Sequence, residues 1–162
     1  MTYRILTVCL GNICRSPAAE AVIREQARAA GLDVEVESAG TAAYHVGESP
    51  HHQSIEAGTA RGYVVGGRAR RFEPDDFHRF DLIVTMDSEN LENVLRMAPS
   101  DSDALVKPLM DYAGGGDVPD PWGKPLAAYE RMYDLIEAAA AGLVASLAES
   151  GQSSGLRQAK DN

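Results

Sequence analysis

Residues 3–9, YRILTVC, form a nearly continuous apolar run with β-branched members. A strand of that composition is buried on both faces, which calls for a parallel sheet covered by helices on either side. The residues that follow supply such a cover. Ser16 and Pro17 read as an N-cap and a first helical residue. Ala19, Val22, Ile23, Ala27 and Ala30 then recur at helical spacing, and Gly31 ends the run. The stretch TVCLGNICRSPAAEAV, 7–22, therefore reads as strand, tight loop and helix.

The alternation continues along the chain. DVEVES (33–38) alternates polar and apolar residues, as an edge strand with one solvated face does. Ser49–Pro50 opens a second helix that runs to about Gly62. DLIVTM (81–86) is another buried strand, and Asp87 is placed to cap the helix SENLENVLRMA. ALVKPL (104–109) is a weaker strand. From Pro125 onward, Tyr129, Met132, Tyr133, Ile136, Ala140, Leu143 and Leu147 mark one face of a long last helix. The expected fold class is α/β, with one domain over 1–148 and a polar tail, 149–162, expected to be disordered. In such sheets ligands gather beyond the carboxyl ends of the strands, and Cys9 ends the first.

Composition narrows the chemistry. The 162 residues carry a formal charge of −9, which argues against nucleic acid as a partner. An anionic substrate must then be held by local groups. No apolar run is long enough for a membrane span and no signal-peptide profile opens the chain, so a cytoplasmic location is expected. There, two cysteines in one loop suggest catalytic or redox use rather than a structural disulfide. Metal binding is a poor reading, because Cys9 and Cys14 have no second pair of Cys or His at ligand spacing.

Cys9 and Arg15 form a C-x5-R pattern between a strand and a helix. Successive backbone amides in such a turn converge on one point, and the helix adds its positive end. Gly11 lets the backbone approach closely, and Asn12 tolerates a left-handed conformation. Arg15 offers a planar fork for two phosphate oxygens. The same field favours the thiolate of Cys9, since helix N-termini and cations lower a thiol's pKa from about 8.5 to roughly 3.5–7.5. Ser16 is positioned to donate a hydrogen bond to that thiolate. Further along, Asp120 lies in GGGDVPDPWGKP, where Pro121 biases it away from helical geometry. Its carboxyl can then project over a cleft as a proton donor. Composition alone favours a simple Asp-Pro turn, and Asp117 is the nearest rival acid, without a following proline.

VCLGNICRSP resembles the signature of the low-molecular-weight protein tyrosine phosphatases. SAGT (38–41), YHVGESP (44–50), ARRF (69–72), FDLIVTMDSENL (80–91) and DPW (120–122) follow in the family's order to about residue 148. The resemblance implies a flavodoxin-like three-layer fold with a central four-stranded parallel sheet. It also implies a protein-tyrosine phosphatase with a phosphocysteine intermediate and no metal or organic cofactor. In that mechanism Cys9 is the nucleophile, Arg15 grips the phosphate and Asp120 is the general acid and base. Leu10, Gly11, Asn12, Ile13 and Cys14 form the cradle, Ser16 sits beside the thiolate, and Ser38 braces the loop through Asn12. Cys14 is implied as a redox partner of Cys9. Ile13, Tyr44 and Trp122 are implied as cleft walls. The family usually has two aromatics after Asp-Pro, whereas Trp122 is followed here by Gly123, so one wall is expected to be more open. The implied partners are phosphotyrosine proteins, a bacterial tyrosine kinase among them, with inorganic phosphate as product.

Three other functions fit parts of this pattern. Arsenate reductases share the fold and loop but relay a disulfide through cysteines outside it, and this chain has none there. Protein-arginine phosphatases carry threonine where Ile13 stands, and a branched apolar side chain suits a phenyl face better than a guanidinium. A non-catalytic phosphate-binding module does not explain nucleophile, arginine, serine and acid together. The adjacent His51–His52 pair reads as solvent-exposed, because neighbouring helical positions face apart.

Overall fold

A computed structural model describes residues 2–151. The first strand, β1 (Tyr3–Cys9), pairs on one side with β2 (Val34–Gly40) and on the other with β3 (Leu82–Thr85). β3 pairs in turn with β4 (Leu105–Pro108), giving a four-stranded, wholly parallel sheet of order β2-β1-β3-β4. Helices α1 (Arg15–Ala29), α2 (His52–Ala60), α3 (Asp76–Arg79), α4 (Ser88–Arg96) and α5 (Leu126–Glu149) connect and cover it. A 3₁₀ turn, Leu109–Ala113, follows β4. This is the three-layer α/β architecture expected from the sequence.

The apolar run of β1 is buried on both faces. Ile5 joins a cluster with Val22 and Ile23 of α1, Leu82 and Val84 of β3, and Tyr129, Met132, Tyr133 and Ile136 of α5. Leu6 and Val8 point the other way, into Phe72, Phe77, Phe80, Ile83 and Val94. Each such side chain removed from water stabilises the fold by roughly 1.5–3 kcal/mol. β2 is an edge strand, with Val34 and Val36 turned to the first cluster.

Two helix starts differ from the sequence reading. α1 begins at Arg15 with Cys14 in the N-cap position, so Ser16 is not the cap. Its hydroxyl is taken up inside the loop. The second helix begins at His52 rather than Ser49–Pro50, and His51 caps it by accepting the Gln53 amide on its ring nitrogen at 3.2 Å. Because His51 is a cap, its ring is free to stack on His52 at 4.4 Å and on Tyr129 at 5.4 Å. The two histidines thus face each other, and His51 is half-buried. Asp87 does cap α4, in a reciprocal capping box with Asn90. α3 and the 3₁₀ turn are too short to leave a periodic signal. Of the tail, Glu149 ends α5, and 152–162 lie outside the described residues.

The strand order decides where chemistry can gather. β1 and β3 are central neighbours, and Cys9 and Asp87 follow their carboxyl ends on the same edge. Gly40 ends β2 opposite Cys9.

Candidate active site

Between Cys9 and α1 the chain makes one tight loop, and Asn12 is its pivot. It is the one non-glycine residue with a positive φ, +59°, among those described. Its side-chain amide donates to Ser16 Oγ at 2.8 Å and to Ser38 Oγ at 2.9 Å, and its carbonyl oxygen accepts the Arg70 amide at 2.9 Å. Asparagine tolerates the left-handed region because its side chain satisfies local groups, and here it ties the loop to three separate segments. Glycine is needed beside it. A Cβ on Gly40 would stand 2.7 Å from the Leu10 carbonyl oxygen, and one on Gly11 would stand 2.9 Å from the His45 ring.

Cys9 Sγ lies inside this loop. It accepts the Asn12 backbone N–H at 3.3 Å and sits 3.0 Å from Ser16 Oγ. Asn12 already donates to that hydroxyl, so the proton of Ser16 goes either to sulfur or to the Ala39 carbonyl oxygen, which lies farther off at 3.4 Å. The backbone amides of Gly11, Ile13, Cys14 and Arg15 have no acceptor among the described residues. Above them opens a cleft of about 380 Å³, lined by Cys9, Leu10, Ile13, Arg15, Asp120 and Trp122, with Tyr44 and His45 on the facing loop.

The Arg15 guanidinium is 3% exposed. It donates to Asp87 Oδ2 at 2.5 Å and to the Val118 carbonyl at 3.0 Å, and its other nitrogen lies 3.9 Å from Asp120 Oδ2. Burial works against its charge, but Cys9, Asp87 and Asp120 together hold its pKa above the ordinary arginine value. One end of the fork is thus clamped while the other faces the cleft. Asp120 is 45% exposed at the rim, and its Oδ1 accepts the Trp122 amide at 3.1 Å. Tyr44 and Trp122 line the cleft and are exposed, 74% and 57%, whereas Ile13, also in its lining, is buried.

Both cysteines are free thiols. Cys14 also lines the cleft, and its sulfur lies 3.7 Å from the hydroxyl of the fully buried Tyr129. Burial pushes its thiol up to about 12, with Cys9 and Asp120 adding to the effect. Burial likewise holds the Tyr129 hydroxyl well above the usual phenol value. Among the described residues no cluster of His, Cys, Asp or Glu could hold a metal ion.

The structure brings Cys9, Leu10, Gly11, Ile13, Cys14, Arg15, Tyr44, Asp120 and Trp122 to one cleft, with Asn12, Ser16 and Ser38 hydrogen-bonded behind the loop. Sequence reasoning missed three contributors. The sequence marks Asp87 only as a helix cap, though it also clamps Arg15. The signal for it lay in the topology, since it follows the strand beside β1. His45 enters through its contact with Gly11, and Arg70 through a backbone amide, which leaves no mark in side-chain type.

Known proteins resemble this chain over most of its length. The family profile described as low molecular weight phosphotyrosine protein phosphatase matches residues 4–153. A low molecular weight protein-tyrosine-phosphatase of Streptomyces coelicolor is 42% identical over 157 residues, covering 92% of this chain and 96% of its own. A protein tyrosine phosphatase of Entamoeba histolytica, solved with Hepes in the active site, superposes with a TM-score of 0.87. It is 34% identical and is covered over 97% of its length, against 91% of this chain. The YwlE arginine phosphatase, solved as a cysteine-to-serine mutant with a phosphorylated active-site serine, gives a TM-score of 0.83. It is 28% identical over 90% of this chain and 96% of its own.

Proposed function

Because the chain belongs to the low molecular weight phosphotyrosine protein phosphatase family, we propose that it hydrolyses phosphotyrosine through a phosphocysteine on Cys9. The observation that carries this reading is the arrangement around one sulfur. Unspent backbone amides, a serine hydroxyl 3.0 Å from sulfur and a clamped guanidinium surround Cys9 at the floor of a cleft whose rim holds a carboxylate. Donors fixed in advance around a phosphoryl group stabilise the charge that develops on it during transfer.

The steps follow from the geometry. The phosphoryl oxygens take the loop amides of 10–16 and the free edge of Arg15. The Cys9 thiolate attacks phosphorus, the P–O bond to the tyrosyl ring breaks, and Asp120 gives its proton to the departing phenolate. Asp120 then takes a proton from water as that water attacks phosphorus. The S–P bond breaks, inorganic phosphate leaves, and Ser16 donates its hydrogen bond to the returning thiolate. No metal or organic cofactor takes part.

Ile13 favours a flat aromatic ring against the cleft wall and offers a guanidinium no hydrogen bond, so phosphotyrosine is preferred over phosphoarginine. The partners are then phosphotyrosine proteins, with a bacterial tyrosine kinase as one candidate. The working unit is the domain over 1–148, acting in the cytoplasm; no described helix is long and apolar enough to cross a membrane. Cys14 is proposed as the redox partner. After peroxide converts Cys9 to a sulfenic acid, the Cys14 sulfur displaces hydroxide and a disulfide and water form. The protonated state of the Cys14 thiol makes that step slow at neutral pH.

The test compares turnover of a phosphotyrosine peptide and phosphoarginine by wild type, Ile13→Thr, Cys9→Ser and Asp120→Ala. The reading expects a phosphotyrosine preference that Ile13→Thr erodes, and no turnover by Cys9→Ser. It also expects Asp120→Ala to slow aryl phosphates with poor leaving groups far more than those with good ones. A preference for phosphoarginine in the wild type would overturn the substrate, and equal slowing of all leaving groups would remove the acid. For the redox role, Cys14→Ser should recover less activity on thiol treatment after peroxide; equal recovery contradicts it.

A further inference from the structure

Beside Asp120 and Pro121 lies a second, smaller groove of about 180 Å³. It shares Asp120 with the reaction cleft, so the two openings adjoin at that residue. Lys124, Ala128 and Arg131 line it with Met132 at its base. Ala128 and Arg131, three residues apart, share one side of the first turns of α5, and Lys124 stands in the bend just before its N-cap, Pro125.

The charges there are unusual for this chain. Arginines elsewhere on the surface are mostly matched: Arg28 meets Glu25, Arg61 meets Asp134 and Glu137, and Arg96 meets Glu92. The side chains of Lys124 and Arg131 have no hydrogen-bond or ion-pair partner among the described residues. Two unmatched cations in one groove stand out in a protein with a formal charge of −9. The carboxylate that shares the groove is engaged elsewhere, since Asp120 Oδ1 holds the Trp122 amide and Oδ2 faces Arg15. Residues at the α5 start are also uncapped by any side chain, which leaves the positive end of a 24-residue helix beside the pair.

Resting on the phosphotyrosine reading above, we propose that this groove is a specificity subsite for a carboxylate side chain flanking the phosphorylated tyrosine, so that the preferred substrates are acidic phosphopeptides. A ring seated between Ile13 and Trp122 leaves the peptide backbone at the rim, from which a neighbouring glutamate or aspartate reaches over Pro121 to the two cations. Global charge repels such a peptide, so the two local cations decide whether it binds.

The experiment measures kcat/KM for phosphotyrosine peptides carrying glutamate or alanine on either side, each divided by kcat/KM for p-nitrophenyl phosphate. The ratio removes any effect common to both substrates. Wild type should favour the glutamate peptides about three- to tenfold, mainly through KM, with the preference shrinking as salt rises. Lys124→Ala/Arg131→Ala should remove the preference, and Lys124→Glu/Arg131→Glu should invert it. Lys124→Arg should keep it, which separates charge from shape. A wild type indifferent to flanking glutamate, or a preference that survives the double variants, overturns the subsite. If instead no phosphotyrosine peptide is hydrolysed while phosphoarginine is, the underlying reading has failed and not the groove alone. Inorganic phosphate serves as the control anion. If the double variants weaken its competitive inhibition of p-nitrophenyl phosphate as much as they weaken peptide binding, the cations act on the reaction cleft itself and the separate subsite is wrong.

Discussion

Replacing Asn12 by alanine removes three hydrogen bonds at once: those to Ser16 and Ser38, and the one from the Arg70 amide. Each such bond contributes about 1 kcal/mol net in a buried setting. Alanine also lacks the local bonding that lets asparagine rest at φ +59°, at a further cost of about 1 kcal/mol. Asn12→Ala should therefore destabilise the fold by about 4 kcal/mol, a large share of the 5–15 kcal/mol typical of a domain. The melting temperature should fall by roughly 10 °C for a chain of this size. Ser38→Ala removes only one of the three bonds and should cost about 1 kcal/mol. The double variant should cost no more than Asn12→Ala alone, because the bond to Ser38 is already gone. Urea denaturation at fixed m gives all three values. Strict additivity in the double variant, or a loss below about 1.5 kcal/mol for Asn12→Ala, would refute the view that this side chain is the pivot of the loop.

Asp87→Asn keeps the α4 cap, since a carbonyl oxygen can still accept the Asn90 amide, but removes the charge clamping Arg15. Steady-state kinetics should show kcat/KM falling about ten- to a hundredfold, because a guanidinium no longer held in register mispositions the phosphate. Gly40→Ala pushes a methyl against the Leu10 carbonyl and Asn12, and should cost about 1–3 kcal/mol of stability along with part of the activity. Stability should also fall at alkaline pH. The Cys14 thiol is pushed up to about 12 from an ordinary 9.0, so the unfolded chain loses that proton first as pH rises past 9. The slope is at most about 1.4 kcal/mol per pH unit for this group. Tyr63 and Tyr133, also pushed up to about 12, bend the curve the same way. The telling quantity is therefore the difference between wild type and Cys14→Ala at pH 8 and pH 10.5: the gap should narrow at the higher pH, and parallel curves would contradict the assignment.

Much of the fold was legible because β1 carries its constraint in composition alone. Ile5, Leu6 and Val8 are apolar on both faces, so a parallel sheet with two helical layers was required before any contact was known. The helix starts were less legible. Ser16–Pro17 and Ser49–Pro50 match cap statistics, yet the caps are Cys14 and His51, because the loop claims the Ser16 hydroxyl for Asn12 and sulfur. Tertiary hydrogen bonding outweighed a local preference worth about 1 kcal/mol. The floor of the site was readable because it is contiguous, with Cys9 to Ser16 in one loop. Asp87 was readable only as a cap, since its second oxygen meets Arg15 across 72 residues of sequence. His51 and His52 read as facing apart under helical geometry, and that inference failed at the one position where His51 is not helical.

The central claim is that a sulfur atom carries the phosphoryl group. With p-nitrophenyl phosphate, whose leaving group needs no proton, Asp120→Ala should form the intermediate readily and hydrolyse it slowly. Acid-quenched protein, digested and analysed by mass spectrometry during turnover, should then carry near-stoichiometric phosphate on the peptide containing Cys9, and none in Cys9→Ala. A protein that turns over steadily with no phosphate on Cys9 at any time, or with phosphate on another residue, contradicts the account.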